Sequence, residues 1–203
     1  MQQPSIILVD DDPAVLDALG LYLESKGFGV VRLDDAKAAL ARVTSAPADA
    51  CIVCDVRMPG MTGLELQDRL RAMGSPVPLI LITGHGDIDM AVRAIKAGAH
   101  DFLEKPFQEH RLVASIQAAL AAARARQSEV DEVGALRGLR SSLTERERHV
   151  MDLAVEGLTN RDIGAKLGIS FRTVEIHRAN AMEKMGAASL ADLVRMSIKL
   201  REA

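Results

Sequence analysis

Aromatic side chains are nearly missing from this chain: no tryptophan, one tyrosine and four phenylalanines stand among 203 residues. Its cores must therefore be packed from Leu, Ile, Val, Ala and Met, which a hydrophobic content of 48% supplies. No apolar run approaches the roughly 20 residues of a membrane span. The N-terminus lacks the basic flank and apolar stretch of a signal peptide. These absences predict a soluble cytoplasmic protein with no membrane role. Cysteine is scarce too, two residues set as Cys51-Ile52-Val53-Cys54. A zinc site would need a second pair or nearby histidines, and a redox C-x-x-C opens a helix, whereas this one lies inside an apolar strand. Buried core thiols are the better reading. Internal repeats and low-complexity tracts are also missing.

Neither sign of charge dominates, but the charges are unevenly spread. Residues 1–123 carry 11 Lys and Arg against 16 Asp and Glu, residues 124–140 carry 4 against 3, and residues 141–203 carry 10 against 9. The acidic first part suits a cation site. The last part is not a strongly basic block, so a nucleic-acid role must rest on pattern.

What is present is a rhythm. Apolar runs at Ile6–Val9, Ala50–Cys54 and Leu79–Ile82 read as strands, Val30–Leu33 is strand-like, and Asp101–Glu104 reads as a short strand. Between and after them, helical spacing marks 13–26, 35–44, a helix through Leu64, Leu66 and Leu70, then 88–97 and 108–123. Unbroken apolar strands are those buried on both faces, so five β/α units predict a parallel sheet with helices on both sides. Asp12 before Pro13 reads as a helix cap. Residues 124–140 are charged and glycine-interrupted, with Val130, Val133 and Leu136 at helical spacing, and read as a helical linker. From Leu143 the pattern is helices only. Thr144 with Glu147 is a capping-box signature, Asn160 and Ser170 are read as caps of the next two helices, and Gly168 turns the chain between them. The helix from Phe171 to about Met185 is expected to bury Val174 and Met182. Leu190, Leu193, Val194 and Ile198 mark a fourth helix. Two short helices split by a glycine turn form a helix-turn-helix layout.

Charged and hydroxyl residues collect where the strands end. Asp10, Asp11 and Asp12 follow the first strand, Asp55 the third, Thr83 the fourth and Lys105 the fifth. The carboxyl ends of parallel strands share one edge, where α/β proteins bind ligands. Three carboxylates suit the hard cation Mg²⁺, which also binds phosphoryl oxygens. A carboxylate can then act as nucleophile, Lys105 can hold a phosphoryl oxygen and Thr83 can donate a hydrogen bond. Each residue alone is ordinary; the constellation points to phosphoryl transfer.

With Val9-Asp10-Asp11-Asp12, Asp55-Val56-Arg57-Met58-Pro59-Gly60, Thr83-Gly84-His85-Gly86 and Lys105-Pro106, residues 5–120 resemble a two-component receiver domain. The resemblance implies a flavodoxin-like α/β fold, a five-stranded parallel doubly wound sheet of order 2-1-3-4-5. It implies Asp55 as phosphoacceptor. Asp11 would bind Mg²⁺ directly, Asp10 mainly through water, and Asp55 and the Arg57 carbonyl would complete the ligands. Thr83 and Phe102 would be a switch pair, Lys105 would bind the phosphate, and the Lys105-Pro106 peptide would be cis. Arg57 and His85, each two residues beyond a site residue, are expected to tune dephosphorylation.

Leu143-Thr144-Glu145-Arg146-Glu147, Gly157-Leu158-Thr159-Asn160, Ile163-Gly164-Ala165-Lys166-Leu167 and Thr173-Val174-Glu175-Ile176-His177 resemble a LuxR/NarL-type DNA-binding domain, an all-α four-helix helix-turn-helix fold. The expected organisation is a receiver over 1–123, a helical linker over 124–140 and a DNA-binding domain over 141–203. In the major groove, Glu175 could accept from cytosine and Ile176 could meet a thymine methyl. Arg172 and Arg178 suit phosphates, Thr173 lies on the same face, and Asn160, Arg161 and Lys166 are backbone-contact candidates. Ala179 stands where relatives carry Lys.

Together the motifs most resemble FixJ-type regulators. That resemblance implies a FixL-like sensor histidine kinase as phosphodonor and a homodimer formed on phosphorylation, here through the 88–123 face. It also implies binding to promoter DNA and activated transcription by RNA polymerase. The unphosphorylated receiver is expected to restrain residues 141–203. Two other readings stand beside this one. A receiver could act through protein partners with a vestigial helical domain, which promoter binding would exclude. An aspartate-nucleophile phosphatase would need a general acid two residues after the nucleophile, where Arg57 stands; the chain is therefore read as a regulator and not an enzyme.

Overall fold

The computed structural model describes residues 3–44, 46, 49–84 and 88–202. The expectation for His85 lies outside them. The first elements are β1 (Ser5–Val9), α1 (Pro13–Ser25), β2 (Gly29–Leu33), α2 (Ala36–Val43), β3 (Ala50–Asp55), α3 (Gly63–Ala72), β4 (Leu79–Thr83), α4 (Ile88–Lys96) and β5 (Asp101–Glu104). A long α5 (Glu109–Ser141) is followed by α6 (Glu145–Val155), α7 (Asn160–Leu167), α8 (Phe171–Met185) and α9 (Leu190–Glu202). The chain forms two compact units, Met1–Arg126 and Gln127–Ala203.

In the first unit the strands form one sheet in the order β2-β1-β3-β4-β5, as the family resemblance implied. All pairings are parallel, with Val9 beside Cys54 and Asp55 beside Ile82. Strand side chains alternate between faces. Ile7, Val9, Ile52, Cys54 and Leu81 face the helices α2, α3 and α4. Ile6, Leu8, Cys51, Val53, Ile80 and Ile82 face α1 and the first half of α5 through Leu16, Leu23, Leu112 and Ile116. Each such side chain, removed from water, contributes about 1.5–3 kcal/mol. Two-sided burial explains why the central strands lack polar alternation.

Local chemistry sets the helix starts. Asp12 caps α1 by accepting from the Ala14 N–H, with Pro13 at the first helical position. Thr62 and Glu65 form a capping box at the start of α3. Gly63 then lets α3 press against the end of β3, because a Cβ there would lie 2.5 Å from the Asp55 carbonyl oxygen. The packing partner of that glycine is the backbone that carries the strand-end aspartate.

In the second unit the Thr144–Glu147 capping box opens α6 as the sequence indicated. Val150, Ala154, Ile163 and Val174 form one core cluster, and Leu143, Met151, Ala181, Met185 and Leu193 another. Two sequence expectations are corrected. Thr159, not Asn160, caps α7; its extended backbone brings the side-chain oxygen to the Asp162 N–H, leaving Asn160 inside the first turn. Met182 is only half-buried, because the inward row of α8 runs Val174, Ala181, Met185. Residues 109–141, proline-free, form one uninterrupted helix, with Val133 and Leu136 buried within the second unit.

Candidate functional site

The strand order brings Asp10, Asp55, Thr83 and Lys105 to one edge of the sheet. The Asp10 and Asp55 side chains are 6% and 9% exposed, and the Lys105 side chain 27%. The Lys105 ammonium donates to Asp10 Oδ2 at 2.7 Å and to Asp55 Oδ1 at 2.8 Å. The remaining oxygens are also held: Asp10 Oδ1 accepts from the Asp12 N–H at 3.0 Å and Asp55 Oδ2 from the Arg57 N–H at 2.6 Å. Burial works against the Lys105 charge, but the hydrogen bonds and charges of Asp10 and Asp55 outweigh it and raise its pKa above the ordinary lysine value.

The backbone fixes these side chains. The Lys105 N–H donates to the Thr83 carbonyl at 2.7 Å, tying the end of β5 to the end of β4. The peptide that follows, Lys105-Pro106, is cis. Thr83 is fully buried, two residues after Leu81, which pairs with Phe102. Thr83 and Phe102 therefore share the sheet face covered by α2, α3 and α4, where Phe102 packs partly buried. Asp11 is exposed, and so is Arg57, whose N–H meets Asp55.

Among the described residues no three carboxylate, imidazole or thiolate groups stand preassembled around a metal position. Asp10 and Asp55 converge on the Lys105 ammonium instead, with Asp11 exposed. The donor set nevertheless fits Mg²⁺ in kind: hard carboxylate oxygens, each with lone pairs beyond the hydrogen bond it accepts here. The thiols differ in character. Burial pushes Cys51 up to about 12 and raises Cys54 too, the latter assisted by the charges of Asp55 and Asp10, so both stay protonated at neutral pH.

In the second unit, the turn between α7 and α8 is set by Gly168 in a left-handed conformation (φ 66°). Gly164 lets the turn close, since a Cβ there would lie 2.8 Å from the Ile169 carbonyl. Of the residues nominated from the sequence, Arg161, Lys166, Arg172 and Ile176 are exposed, while Asn160, Thr173, Glu175 and Arg178 are half-buried. Arg178 Nη1 donates to Asn160 Oδ1 at 2.9 Å, joining α8 to α7. Arg172 pairs with Glu175 within α8 at 3.2 Å. The Thr173 N–H donates to the capping Ser170 oxygen at 3.0 Å, which draws Thr173 into the cap.

Several contacts among the described residues were not visible in the sequence. Lys184 of α8 donates to the buried Glu147 of α6 at 2.7 Å. That ammonium first, and the Thr144 N–H next, hold the Glu147 carboxyl down to about 2. Glu147 was read only as half of a capping box; its place one turn before Met151 on the inward face was the available signal. Gln67, buried in α3, donates to the Ala94 carbonyl of α4 at 2.7 Å. It continues the inward row Gly63, Leu66, Leu70, a polar residue at an apolar position. Arg32 of β2 lies against Gly20 of α1 and donates to the Leu16 carbonyl at 3.3 Å.

Comparison with known proteins agrees with both units. Residues 6–117 match the family model for the response regulator receiver domain, and residues 141–197 that for bacterial regulatory proteins of the luxR family. The transcriptional regulatory protein FixJ of Bradyrhizobium diazoefficiens is 44% identical over 194 residues, covering 96% of this chain and 94% of that protein. The response regulator protein TmoT of Ectopseudomonas mendocina is 42% identical over 201 residues, covering 99% and 91%. Among solved structures, the response regulator StyR matches with a TM-score of 0.85 at 42% identity, covering 98% of this chain and 100% of that one. Full-length FixJ from B. japonicum matches with a TM-score of 0.62 at 42% identity, over 100% of both chains.

Proposed function

Because the chain belongs to the two-component response regulators that join a receiver domain to a luxR-family DNA-binding domain, we propose that Asp55 accepts a phosphoryl group and that the modification controls promoter binding by residues 141–203. The observation that carries this reading is the near-buried Asp55 carboxylate held between the Lys105 ammonium and the Arg57 N–H at the sheet edge. An Asp55 oxygen attacks the phosphorus of a phosphohistidine on a FixL-like sensor kinase. A P–O bond forms, the P–N bond breaks, and the electron pair leaves with the imidazole, which takes up a proton. Asp10, Asp11, Asp55 and the Arg57 carbonyl would hold Mg²⁺, whose chemistry there is to neutralise the charge gathered on the transferring group. Lys105 turns its ammonium from Asp55 to a phosphoryl oxygen while keeping Asp10. The buried Thr83 hydroxyl moves toward the new acceptor oxygens, and Phe102 on the same face fills the space it leaves.

The change reaches the 88–123 face. Ile88, Val92 and Ile95 form an exposed apolar row on α4, 83%, 44% and 47% accessible, and a second copy of the chain is the partner proposed for it. A dimer doubles the phosphate contacts of a DNA-binding domain whose net basic charge is small. Arg161, Lys166, Arg172 and the Asn160–Arg178 pair would meet the DNA backbone, while Thr173, Glu175 and Ile176 face the base edges. The unphosphorylated receiver restrains this domain; activated dimers stimulate transcription by RNA polymerase in the cytoplasm. Phosphotransfer from an autophosphorylated kinase tests the core of this reading. Wild-type protein should take up a label that needs Mg²⁺ and is released by alkali or hydroxylamine, as an acyl phosphate is, and Asp55→Asn should not. Retained labelling in that variant would move the phosphosite elsewhere.

A further inference from the structure

Of the one tyrosine and four phenylalanines, all but one pack within the first unit. Phe28 is buried, and Tyr22, Phe102 and Phe107 lie partly buried against the core clusters there. Phe171, the first residue of α8, is 55% exposed. Among the described residues of the second unit it belongs to neither core cluster. Nor does the helix start need it. Ser170 caps α8, accepting from the Thr173 N–H at 3.0 Å. Ile169, just before the cap, packs against the cluster that holds Val174, and an apolar pair in those two places sets the angle at which a chain enters a helix. The backbone beneath Phe171 is nevertheless fixed. Its nitrogen lies 3.8 Å from where a Gly164 Cβ would stand, and the Val174 N–H donates to the Ser170 carbonyl at 3.0 Å. A large apolar side chain is thus held out to solvent on a rigid turn.

We infer that Phe171 is a specificity-determining residue whose ring packs on the C5 methyl of a thymine in the major groove. In helix-turn-helix domains the amino-terminal residues of the second helix approach the base edges, and Phe171 stands at that end of α8. Residues four apart on a helix lie one above the other, which places Phe171 beside Glu175, the candidate for cytosine. Ile176, five residues on, points about 140° away around the axis, so the two apolar side chains meet different bases. A phenyl ring has no charge for a phosphate and no hydrogen-bonding group for a base edge. The thymine methyl is the apolar mark that the major groove presents, and phenylalanine is among the side chains that meet it. The ring therefore contributes sequence selectivity without counterion release. This inference rests on the reading of residues 141–203 as a DNA-binding domain and adds to it a residue that reads sequence.

The test uses the full chain and a DNA fragment selected with wild-type protein, in whichever state binds it more tightly, with or without acetyl phosphate and Mg²⁺. Each thymine of the selected site is replaced in turn by uracil, which removes only the C5 methyl. Affinities of wild type, Phe171→Ala and Phe171→Leu are measured on these fragments and on unrelated DNA, over a range of salt. One uracil should cost the wild type about fourfold, the worth of one buried methyl-sized group. The same uracil should cost Phe171→Ala nothing. On the unsubstituted fragment Phe171→Ala should bind about five- to tenfold more weakly, the low end of what one mismatched base pair costs. Its affinity for unrelated DNA and its salt slope should match the wild type, because the ring is uncharged. Phe171→Leu keeps an apolar contact and should retain part of the uracil effect. Uracil penalties that all persist in Phe171→Ala, whatever its melting temperature, would overturn the inference. So would a loss of affinity equal on selected and unrelated DNA, or a wild type indifferent to every uracil, and in both cases DNA binding itself would stand. Wild-type protein that prefers no fragment would remove the DNA-binding reading and this inference with it.

Discussion

Lys105→Ala should destabilise the first unit more than loss of the phosphoacceptor charge does. The ammonium lies 2.7 Å from Asp10 and 2.8 Å from Asp55, and those side chains are 6% and 9% exposed. Without it, two near-buried carboxylates face each other with no cation. Breaking a buried pair by removing one partner costs about 3–5 kcal/mol. Lys105 is itself 27% exposed, and solvent screening brings the expectation to about 2–3 kcal/mol. With a urea slope of about 1–3 kcal/mol per molar, the midpoint should fall by about 0.7–3 M. Tyr22, the one tyrosine, sits in α1, so its fluorescence reports this unit in the full chain. Asp55→Asn keeps the ammonium with Asp10 and should cost about 1 kcal/mol or less. Added Mg²⁺ should raise the Lys105→Ala midpoint more than the wild-type one, since binding to the folded state alone stabilises it. The pH dependence has a definite sign. The folded pKa of Lys105 is raised, so its contribution is fully present below the ordinary lysine value and is lost as pH rises through the raised one. The gap between wild type and Lys105→Ala should therefore narrow at strongly alkaline pH. An unchanged midpoint at pH 7, or a larger loss in Asp55→Asn, would refute the reasoning.

Other expectations concern single contacts. Gly63→Ala would place a Cβ 2.5 Å from the Asp55 carbonyl and 3.1 Å from Leu81 Cδ2; a destabilisation of about 1–3 kcal/mol should appear in urea melts, with slower phosphotransfer from the displaced strand end. Glu147 has a carboxyl held down to about 2 from an ordinary 4.5, so its stabilising effect is present above the ordinary value and lost as pH falls through that window. Circular dichroism melts should show Glu147→Gln less stable at neutral pH and insensitive to this group below it. Arg178→Ala should weaken binding to all DNA sequences alike and reduce the slope of log affinity against log salt by about one phosphate, and equal salt slopes for variant and wild type would remove Arg178 from the backbone contacts. Gly134 lies in α5 with open space around it; Gly134→Ala should stabilise by about 0.5–1 kcal/mol in thermal melts.

The sheet was legible because its central strands are uninterrupted apolar runs and the site residues end them in sequence. That pattern comes from two-sided burial, a constraint strong enough to read without coordinates. The caps at Asp12, Thr144 and Ser170 were legible for a similar reason: each is a local bond between residues two or three apart. At α7 two good capping types, Thr159 and Asn160, stand side by side, and local sequence does not separate them; the backbone geometry selects Thr159. The inward row of α8 was read one residue off at Met182 because Ala181 is small and its burial depends on the neighbouring helices. The long-range polar contacts were not legible at all. Lys184 and Glu147 are 37 residues apart, Gln67 and Ala94 27 apart, and no local spacing rule connects them. Exposure of Asp11 beside the buried Asp10 is likewise a matter of how the chain leaves β1, which the Asp-Asp-Asp run does not encode.

The central claim is that one carboxylate at the sheet edge controls DNA binding by the helical domain. The most direct measurement is the affinity of the full chain for a promoter fragment selected with phosphorylated protein. Wild type and Asp55→Asn would be titrated at one fixed salt concentration, before and after exposure to a phosphodonor with Mg²⁺. Wild-type affinity should rise by about 5- to 150-fold on phosphorylation, the range of a typical coupling between two sites, and Asp55→Asn should not respond. An equal gain in Asp55→Asn, or no gain in wild-type protein carrying the acyl phosphate, would contradict the account.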